Sequence, residues 1–296
     1  MPPKQIILTV DVEDWFQVEN LRPEFPIFRW NNQPLRVESN THRLLDLFDS
    51  FSSPVKATFF ILGWVAENCR QLVRDIQNRG HEIASHGYRH SLCPQLNATE
   101  LYQDLVRSKK LLEDISGEAV HGYRAPNFSI SDEVLAVVKA CGYRYDSSYN
   151  SFSKNHRYGK ISIDGKKRHG LALELADDFY ELPISNLSMA GQTLPWGGGG
   201  YFRFLPPPIF RAGVDRILKK SDAYLFYMHP WEIDPGQPKA RTVTGLNKWR
   251  HYVNLEKTHD RLATFIETYF RLGYSTCHRY LEEQKNRGPS MFPATG

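Results

Sequence analysis

The chain alternates short apolar runs with segments whose apolar residues recur at helical spacing. Runs rich in β-branched and aromatic residues at 5–11, 55–62 and 223–230 predict buried strands. Leucine, valine and isoleucine at helical spacing predict helices over 64–78 and 132–140, each followed closely by a glycine that can end it. This alternation indicates an α/β protein in which helices pack outside a parallel sheet.

Polar residues follow the predicted strands at the point where each strand ends. In β/α barrels, the chemistry lies at the carboxyl ends of the strands. We therefore predict one domain over residues 1–296, folded as a distorted (β/α) barrel of about seven strands. A less regular, substrate-side insertion is expected at about 149–205. The residues that end predicted strands are Asp11, His86, Arg124, Asp146 and His229.

Composition limits the classes of function. A chain of 296 residues with 41% hydrophobic and 24% charged residues is ordinary for a globular domain with a sizeable core. A net charge of +4 is too small to predict a nucleic-acid partner. Since no stretch approaches the ~20 apolar residues of a membrane span, no transmembrane segment is expected.

Two features bear on location. The first acid follows only a short apolar stretch, so residues 1–14 do not resemble a signal peptide. The 4 cysteines form no C-x-x-C pair, which argues against both a thiolate metal site and a disulfide framework. We therefore expect a cytoplasmic protein with reduced thiols.

The stretch "SHGYRH" places His86 and His90 four residues apart, where a helical turn would put both imidazoles on one face. Asp11, Glu13 and Asp14 end a neighbouring predicted strand. Two imidazoles and a carboxylate leave positions open for water, which is typical of catalytic rather than structural zinc. Zinc is the leading candidate, with nickel, cobalt, iron and manganese as alternatives.

The stretch "LPWGGGGYFRF" combines four glycines with aromatic residues. It does not fit a phosphate-binding loop, because no G-K-[ST] follows. It instead indicates close backbone approach beside aromatic walls. Trp196, Tyr201 and Trp231 could form either core or a platform for a sugar ring.

Five motifs in order resemble one known family: "TVDVED", "GHEIASHGYRH", "GYRAPNF", "YDSS" and "YMHPWEIDP". They resemble the polysaccharide deacetylases of carbohydrate esterase family 4, the NodB-homology fold. The region 236–285 is similar to the C-terminal part of a cytoplasmic branch associated with exopolysaccharide loci. That branch is itself similar to a peptidoglycan deacetylase and to allantoinase-like members. The resemblance covers residues 6–281.

The resemblance implies roles for the residues of the predicted metal site. Asp11 matches the family's general base, and His86 and His90 match its histidine ligands. Adjacent aspartates are usual in the family, whereas this chain has its acids at different spacing. Glu13 lies on the face of Asp11 if the strand persists, and Asp14 takes its place if the chain bulges. Both carboxylates therefore remain candidate ligands.

The resemblance also implies the remaining roles. Arg124 matches the arginine that pairs with the base, and His229 matches the general acid. Asp146 corresponds more loosely to an acid that tunes one of these groups. A backbone N–H near Asn127 is a candidate for holding the oxyanion.

The expected function is metal-dependent N-deacetylation of an N-acetylated amino sugar in a polysaccharide or in its lipid-linked or cytoplasmic precursor. The partner would be a carbohydrate. One alternative is hydrolysis of another amide, an N-formyl sugar or a cyclic amide. A second is a non-catalytic carbohydrate-binding relative, against which the pairing of Asp11 with His229 argues, since a binder needs no acid and base.

Overall fold

The computed structural model describes residues 3–152, 154–155, 157–241 and 243–287, and the rest of the predicted domain lies outside the described residues. The helices are α1 Val37–Asp49, α2 Gly63–Asn68, α3 Arg70–Asn78, α4 Ala98–Ser116, α5 Asp132–Ala140, α6 Gly199–Phe204, α7 Pro207–Lys220, α8 Gly245–Tyr252, α9 Leu255–Tyr269 and α10 Cys277–Arg287. The strands are β1 Gln5–Val12, β2 Thr58–Ile61, β3 Glu82–Ser85, β4 Gly122–Tyr123, β5 Tyr145–Asp146, β6 Lys167–His169, β7 Ala172–Ala176, β8 Phe179–Glu181, β9 Leu187–Met189, β10 Gln192–Leu194, β11 Ala223–Met228 and β12 Tyr274–Ser275.

A central sheet joins most of the strands in the order β11-β1-β2-β3-β4-β5-β8-β7-β6. Every pair from β11 to β8 is parallel, while β7 and β6 add antiparallel strands at the end. β12 pairs with the start of β1. Because these strands are parallel, their carboxyl ends lie at one edge of the sheet. The predicted α/β fold with a central parallel sheet is confirmed.

The sheet curves toward a barrel without a continuous ladder between β8 and β11 among the described residues. The gap is bridged just beyond β8, where Ser185 N donates to Leu225 O at 3.4 Å and Leu225 N donates to Ser185 Oγ at 2.9 Å. Further along β11, Tyr227 N donates to Gly197 O at 2.8 Å. The distortion expected of the barrel is concentrated at this seam.

The two faces of β1 explain how charge reaches the site. Leu8 and Val10 point to the outer core, packed under the helices, whereas Ile7 belongs to the core inside the barrel. Since side chains alternate along a strand, Thr9 and Asp11 follow Ile7 on the inner face. The strand is buried along nearly its whole length, as parallel strands covered on both sides are.

Local signals place several elements correctly. Asn97 caps α4 and exchanges hydrogen bonds with Glu100 in a capping box, and Ser131 caps α5. The single helix predicted over 64–78 is wrong, because Cys69 adopts φ −128° and ψ 55° and divides it into α2 and α3. The described part of the insertion at 149–205 contains five short strands, and one of them, β8, pairs in parallel with β5.

Within the described ranges, no helix combines the length and apolarity that crossing a bilayer would require.

Candidate active site and metal centre

A cleft of about 510 Å³ opens at the carboxyl ends of the parallel strands. Its floor holds Asp11 from β1, while His229 follows β11 directly. β1 and β11 are neighbours, and Val10 lies opposite Met228 in their register. The two residues that follow this pair are therefore held across from one another by the sheet itself.

Three of the predicted ligands meet in this cleft. Glu13, His86 and His90 are all buried, and one donor atom from each lies within 4.8 Å of the others. His86 Nδ1 lies 2.8 Å from Arg124 O, so that ring donates from Nδ1 and leaves Nε2 with its lone pair. Burial also lowers the pKa of His86 to about 4, which keeps the imidazole neutral and able to bind a metal.

The surroundings of the Glu13 carboxylate show whether this site suits a cation. Its Oε2 lies 2.9 Å from His90 Nε2, yet the pair is not aligned as a hydrogen bond, and Oε2 accepts none from the described residues. Burial opposes ionisation of Glu13, but His90 and His229 outweigh it and hold its pKa well below the ordinary range. A buried, ionised oxygen beside two imidazoles fits a divalent cation.

The histidines reach the site from a loop, so the predicted helical turn is wrong. Gly87 and His90 have φ of 73° and 54°, which no helix allows. Asp104 Oδ1 accepts from Tyr88 N at 2.8 Å, and Arg22 Nη2 donates to His90 O at 2.7 Å. These contacts hold a non-glycine residue in the left-handed region, as is common at functional sites.

Asp14, the rival ligand, lies outside this cluster and is corrected to a structural role. β1 persists through Val12, so alternation directs Glu13 rather than Asp14 toward the face of Asp11. The Asp14 carboxylate accepts hydrogen bonds from three backbone N–H groups at 2.7–2.9 Å. Its oxygens are thus occupied in joining the end of β1 to the start of α1. The three donors are Trp15 N, Arg36 N and Val37 N.

Arg124 lies inside the barrel with no exposed surface. Its Nη1 donates to Asp11 Oδ1 at 2.6 Å and to Thr9 Oγ1 at 2.8 Å. Nε and Nη2 donate to the backbone and hydroxyl oxygens of Ser147, and the guanidinium carbon lies 4.0 Å from the centre of the Phe60 ring. With most of its donors used, this buried guanidinium fixes the orientation of Asp11.

His229 depends on two residues that the sequence reasoning missed. Glu232 Oε1 lies 2.8 Å from His229 Nδ1 and also accepts from His229 N at 3.0 Å. The other oxygen of Glu232 accepts from Arg203 Nε at 2.7 Å. Although burial opposes it, Arg203 and His229 together lower the pKa of Glu232 to about 2. The spacing of "HPWE" could have revealed Glu232, whereas nothing marked Arg203.

The same contacts set the charge of His229. Burial alone would favour the neutral ring, but Glu13, Glu232 and Asp11 raise the pKa of His229 to about 9. Its Nε2 lies 3.3 Å from Glu13 Oε1 and 4.0 Å from Asp11 Oδ2. A protonated imidazole therefore faces the cleft through Nε2 while Glu232 holds Nδ1.

The predicted sugar-binding residues separate into two groups. Tyr201 and Asn127 line the cleft, and so does Trp231, whose ring stacks between those of His229 and His251. Trp231 Nε1 also donates to Glu13 Oε1 at 3.4 Å. Trp196 does not reach the cleft.

Trp196 is corrected to a core residue. Its ring stacks on Phe210 at 5.9 Å between centroids, and its indole N–H donates to Phe210 O at 2.9 Å.

Three of the glycines that follow Trp196 lie close to neighbouring segments, as the sequence predicts. An alanine Cβ would lie 2.6 Å from atoms of Ser185 at Gly197 and of Tyr227 at Gly198, and 2.3 Å from Glu232 at Gly199.

Asp146 lies one layer behind the reaction centre. Its carboxylate accepts from Ser148 N and Ser148 Oγ, both at 2.9 Å, and Ser148 Oγ in turn accepts from Ala125 N at 2.7 Å. Opposite it in the β5–β8 register is Glu181, equally buried. Burial and the charge of Asp146 raise the pKa of Glu181 well above its ordinary value, and burial also raises the pKa of Asp146.

Comparison with known families bears directly on this geometry. A family model described as Polysaccharide deacetylase matches residues 2–145. The first half of the chain thus has the sequence of a polysaccharide deacetylase domain. The resemblance inferred from the motifs is confirmed for this family, and assignment to an exopolysaccharide-associated branch remains a prediction. A second family model, described as a domain of unknown function, DUF3473, matches residues 147–282.

Proteins with deacetylase names share part of the sequence of this chain. A Helicobacter pylori peptidoglycan deacetylase is 29% identical over 193 residues, which are 64% of this chain and 61% of that protein. A Bacillus cereus peptidoglycan-N-acetylglucosamine deacetylase is 33% identical over 95 residues, 32% of this chain and 34% of that protein. The chain thus matches less than two thirds of the length of either relative.

Solved structures agree on the fold. A Mycobacterium smegmatis protein crystallised as a candidate polysaccharide deacetylase superposes with a TM-score of 0.64 at 20% identity, covering 100% of this chain and 94% of that one. A Bacillus anthracis protein described as a CE4 family pseudoenzyme gives 0.52 at 16% identity, covering 95% and 66%. The second likeness shows that the deacetylase fold alone does not establish catalysis.

Proposed function

We propose that this chain is a metal-dependent hydrolase that removes the acetyl group from an N-acetylated amino sugar. The substrate would be a polysaccharide or its lipid-linked or cytoplasmic precursor, and the reaction would take place in the cytoplasm. One observation carries the proposal: a buried carboxylate, Asp11, and an imidazole, His229, face the same cleft beside three metal-type donors. Binding alone would need no such pair.

Glu13, His86 and His90 would hold the metal. Once bound there, a divalent ion such as zinc would lower the pKa of water and polarise the amide carbonyl. Zinc is favoured by the two imidazoles and one carboxylate, a donor set typical of its catalytic sites.

Asp11 would take the proton of the attacking water. Arg124 holds one oxygen of that carboxylate at 2.6 Å, which leaves Oδ2 to face the cleft. His229 would give its Nε2 proton to the departing amine, and Glu232 keeps that ring correctly oriented through Nδ1. The products would be acetate and a free amino sugar, with the proton from water transferred overall to the amine.

The test is release of acetate from N-acetylated oligosaccharides by zinc-loaded protein, with an N-formyl sugar and a cyclic amide offered in parallel and assayed for formate and for ring-opened product. Asp11→Asn protein, loaded in the same way, is the control, because it lacks the base while keeping all three proposed ligands. Acetate release by the wild type and none by the variant is expected. Release of formate alone would favour the other amide hydrolysis, and binding without turnover would favour a non-catalytic relative.

A further inference from the structure

The cleft contains more positive charge than its reaction centre uses. Each acid that lines the cleft already has a partner. Three form ion pairs, and Glu13 belongs to the proposed metal site. The ion pairs are Asp11 with Arg124, Glu232 with Arg203, and Glu19 with Arg22 at 3.3 Å. The lining also includes three further cations, Lys154, Arg157 and Arg250. These three are not needed to balance any acid of the cleft.

The three cations come from two parts of the chain. Lys154 and Arg157 belong to the insertion between β5 and β6, and Arg250 lies one turn after Asn247 on α8. Among the described residues, none of the three has a carboxylate oxygen within 4.0 Å. Arg157 is held by a neutral group, since its Nη1 donates to Asn20 Oδ1 at 2.7 Å.

We propose that Lys154, Arg157 and Arg250 bind anionic groups of the substrate, so that the glycan carries carboxylate or phosphate near its N-acetylated sugar. This inference rests on the proposed function, in that it names the substrate class of the same cleft. Long cationic side chains lining a cleft without anionic partners attract anions and raise their local concentration. Arginine in particular presents a fork that matches carboxylate and phosphate oxygens.

A neutral glycan would not need these charges. Hydroxyl and acetamido groups are satisfied by neutral donors and acceptors, and the cleft already supplies many side-chain amides. Those amides belong to Asn20, Asn127, Asn150, Asn155, Asn186 and Asn247. The cations therefore distinguish an anionic glycan from a neutral one rather than serving sugar binding in general.

The experiment compares three oligosaccharides of equal length. One is a neutral chitooligosaccharide, one alternates N-acetylglucosamine with glucuronate, and one is a chitooligosaccharide with a terminal phosphate monoester. Zinc-loaded wild type is compared with the variant Lys154→Gln/Arg157→Gln/Arg250→Gln. The control, Lys139→Gln/Lys219→Gln/Lys220→Gln, loses the same charge from exposed helical positions outside the cleft. Calorimetry gives Kd and acetate release gives kcat/KM for each oligosaccharide.

At least one anionic oligosaccharide should bind about tenfold more tightly than the neutral one, an advantage that three partly exposed ion pairs can supply. That ratio should fall toward one in the cleft variant and with rising salt, and stay unchanged in the control. Preference for glucuronate would identify a carboxylate, and preference for the monoester a phosphate. Equal affinity for all three, or equal loss in both variants, would overturn the inference.

The two proposals fail separately. Anion preference in binding without acetate release would retain the anion subsite and reject deacetylation. Acetate release with no anion preference would do the reverse.

Discussion

Substituting Gly199 tests the contact between α6 and the residue that supports His229. An alanine Cβ at 199 would lie 2.3 Å and 2.4 Å from the two carboxylate oxygens of Glu232, where contacts under 3.0 Å essentially never occur. The carboxylate must move by roughly 1 Å, beyond the range of its hydrogen bonds to His229 and Arg203. Glu232 is buried and cannot replace those bonds with water.

The magnitude follows from those two hydrogen bonds, now 2.8 Å and 2.7 Å long. Hydrogen bonds to charged groups contribute about 1.5–3 kcal/mol each. An alanine returns only about 0.5–1 kcal/mol in a helix relative to glycine. The net cost of Gly199→Ala is therefore about 3 kcal/mol, or a fall in Tm of about 5–10 °C. Misplacing His229 by a similar distance should lower kcat about 100-fold.

Thermal unfolding and acetate release measure the two effects. Gly200 provides a matched comparison in the same helix, because a Cβ there meets nothing within 4 Å. Gly200→Ala should therefore unfold at or slightly above the temperature of the wild type. If Gly199→Ala acts through Glu232, its cost must shrink in a Glu232→Ala background, where no carboxylate remains to be displaced. An unchanged cost in that background would refute the reasoning, as would a Gly199→Ala protein of full stability.

Other predictions address the remaining groups. Asp11→Asn should keep bound zinc, measured by elemental analysis, but should release no acetate, whereas His86→Ala should lose both zinc and activity. Full activity in Asp11→Asn would show that Asp11 is not the general base. Asp14→Ala should lower the free energy of unfolding by about 1–2 kcal/mol through loss of its cap while keeping zinc, and Glu13→Gln should lose zinc; the opposite pattern would restore Asp14 as the ligand. Glu181 has a raised pKa in the folded chain, so its protonated form adds its full contribution to the free energy of unfolding below its ordinary pKa of 4.5. That contribution is lost as pH rises toward the pKa of the folded state. As pH rises above about 4.5, the wild type should thus lose stability relative to Glu181→Gln, and parallel Tm profiles would contradict the raised pKa of Glu181.

The sequence predicts the reaction centre well where one strand supplies the signal. Asp11 ends an apolar run, and alternation then places it inside the barrel with Glu13 beyond it. Spacing also pairs His86 with His90, although the loop between them shows that a four-residue interval does not require a helix.

The spacing of residues along the chain could not reveal contacts between segments that are distant in sequence. Arg203 reaches Glu232 from another helix, and Glu181 lies opposite Asp146 only because two strands far apart in sequence pair in one register. Trp196 shows the converse, since a tryptophan beside glycines suits a sugar platform and a core stack equally until Phe210 is placed against it.

The pairing of β1 with β11 has a consequence for how the protein is made. β11 begins at Ala223, so the side of β1 that it covers stays unpaired until more than 200 further residues have been synthesised. Such long-range parallel pairing forms slowly and leaves an apolar strand edge open to aggregation. A slip of one residue would turn His229 away from Asp11 and reverse the face of every side chain in β11. Activity during refolding should therefore appear only once β1 and β11 have paired, and a protein truncated before β11 should need a chaperone to stay dispersed.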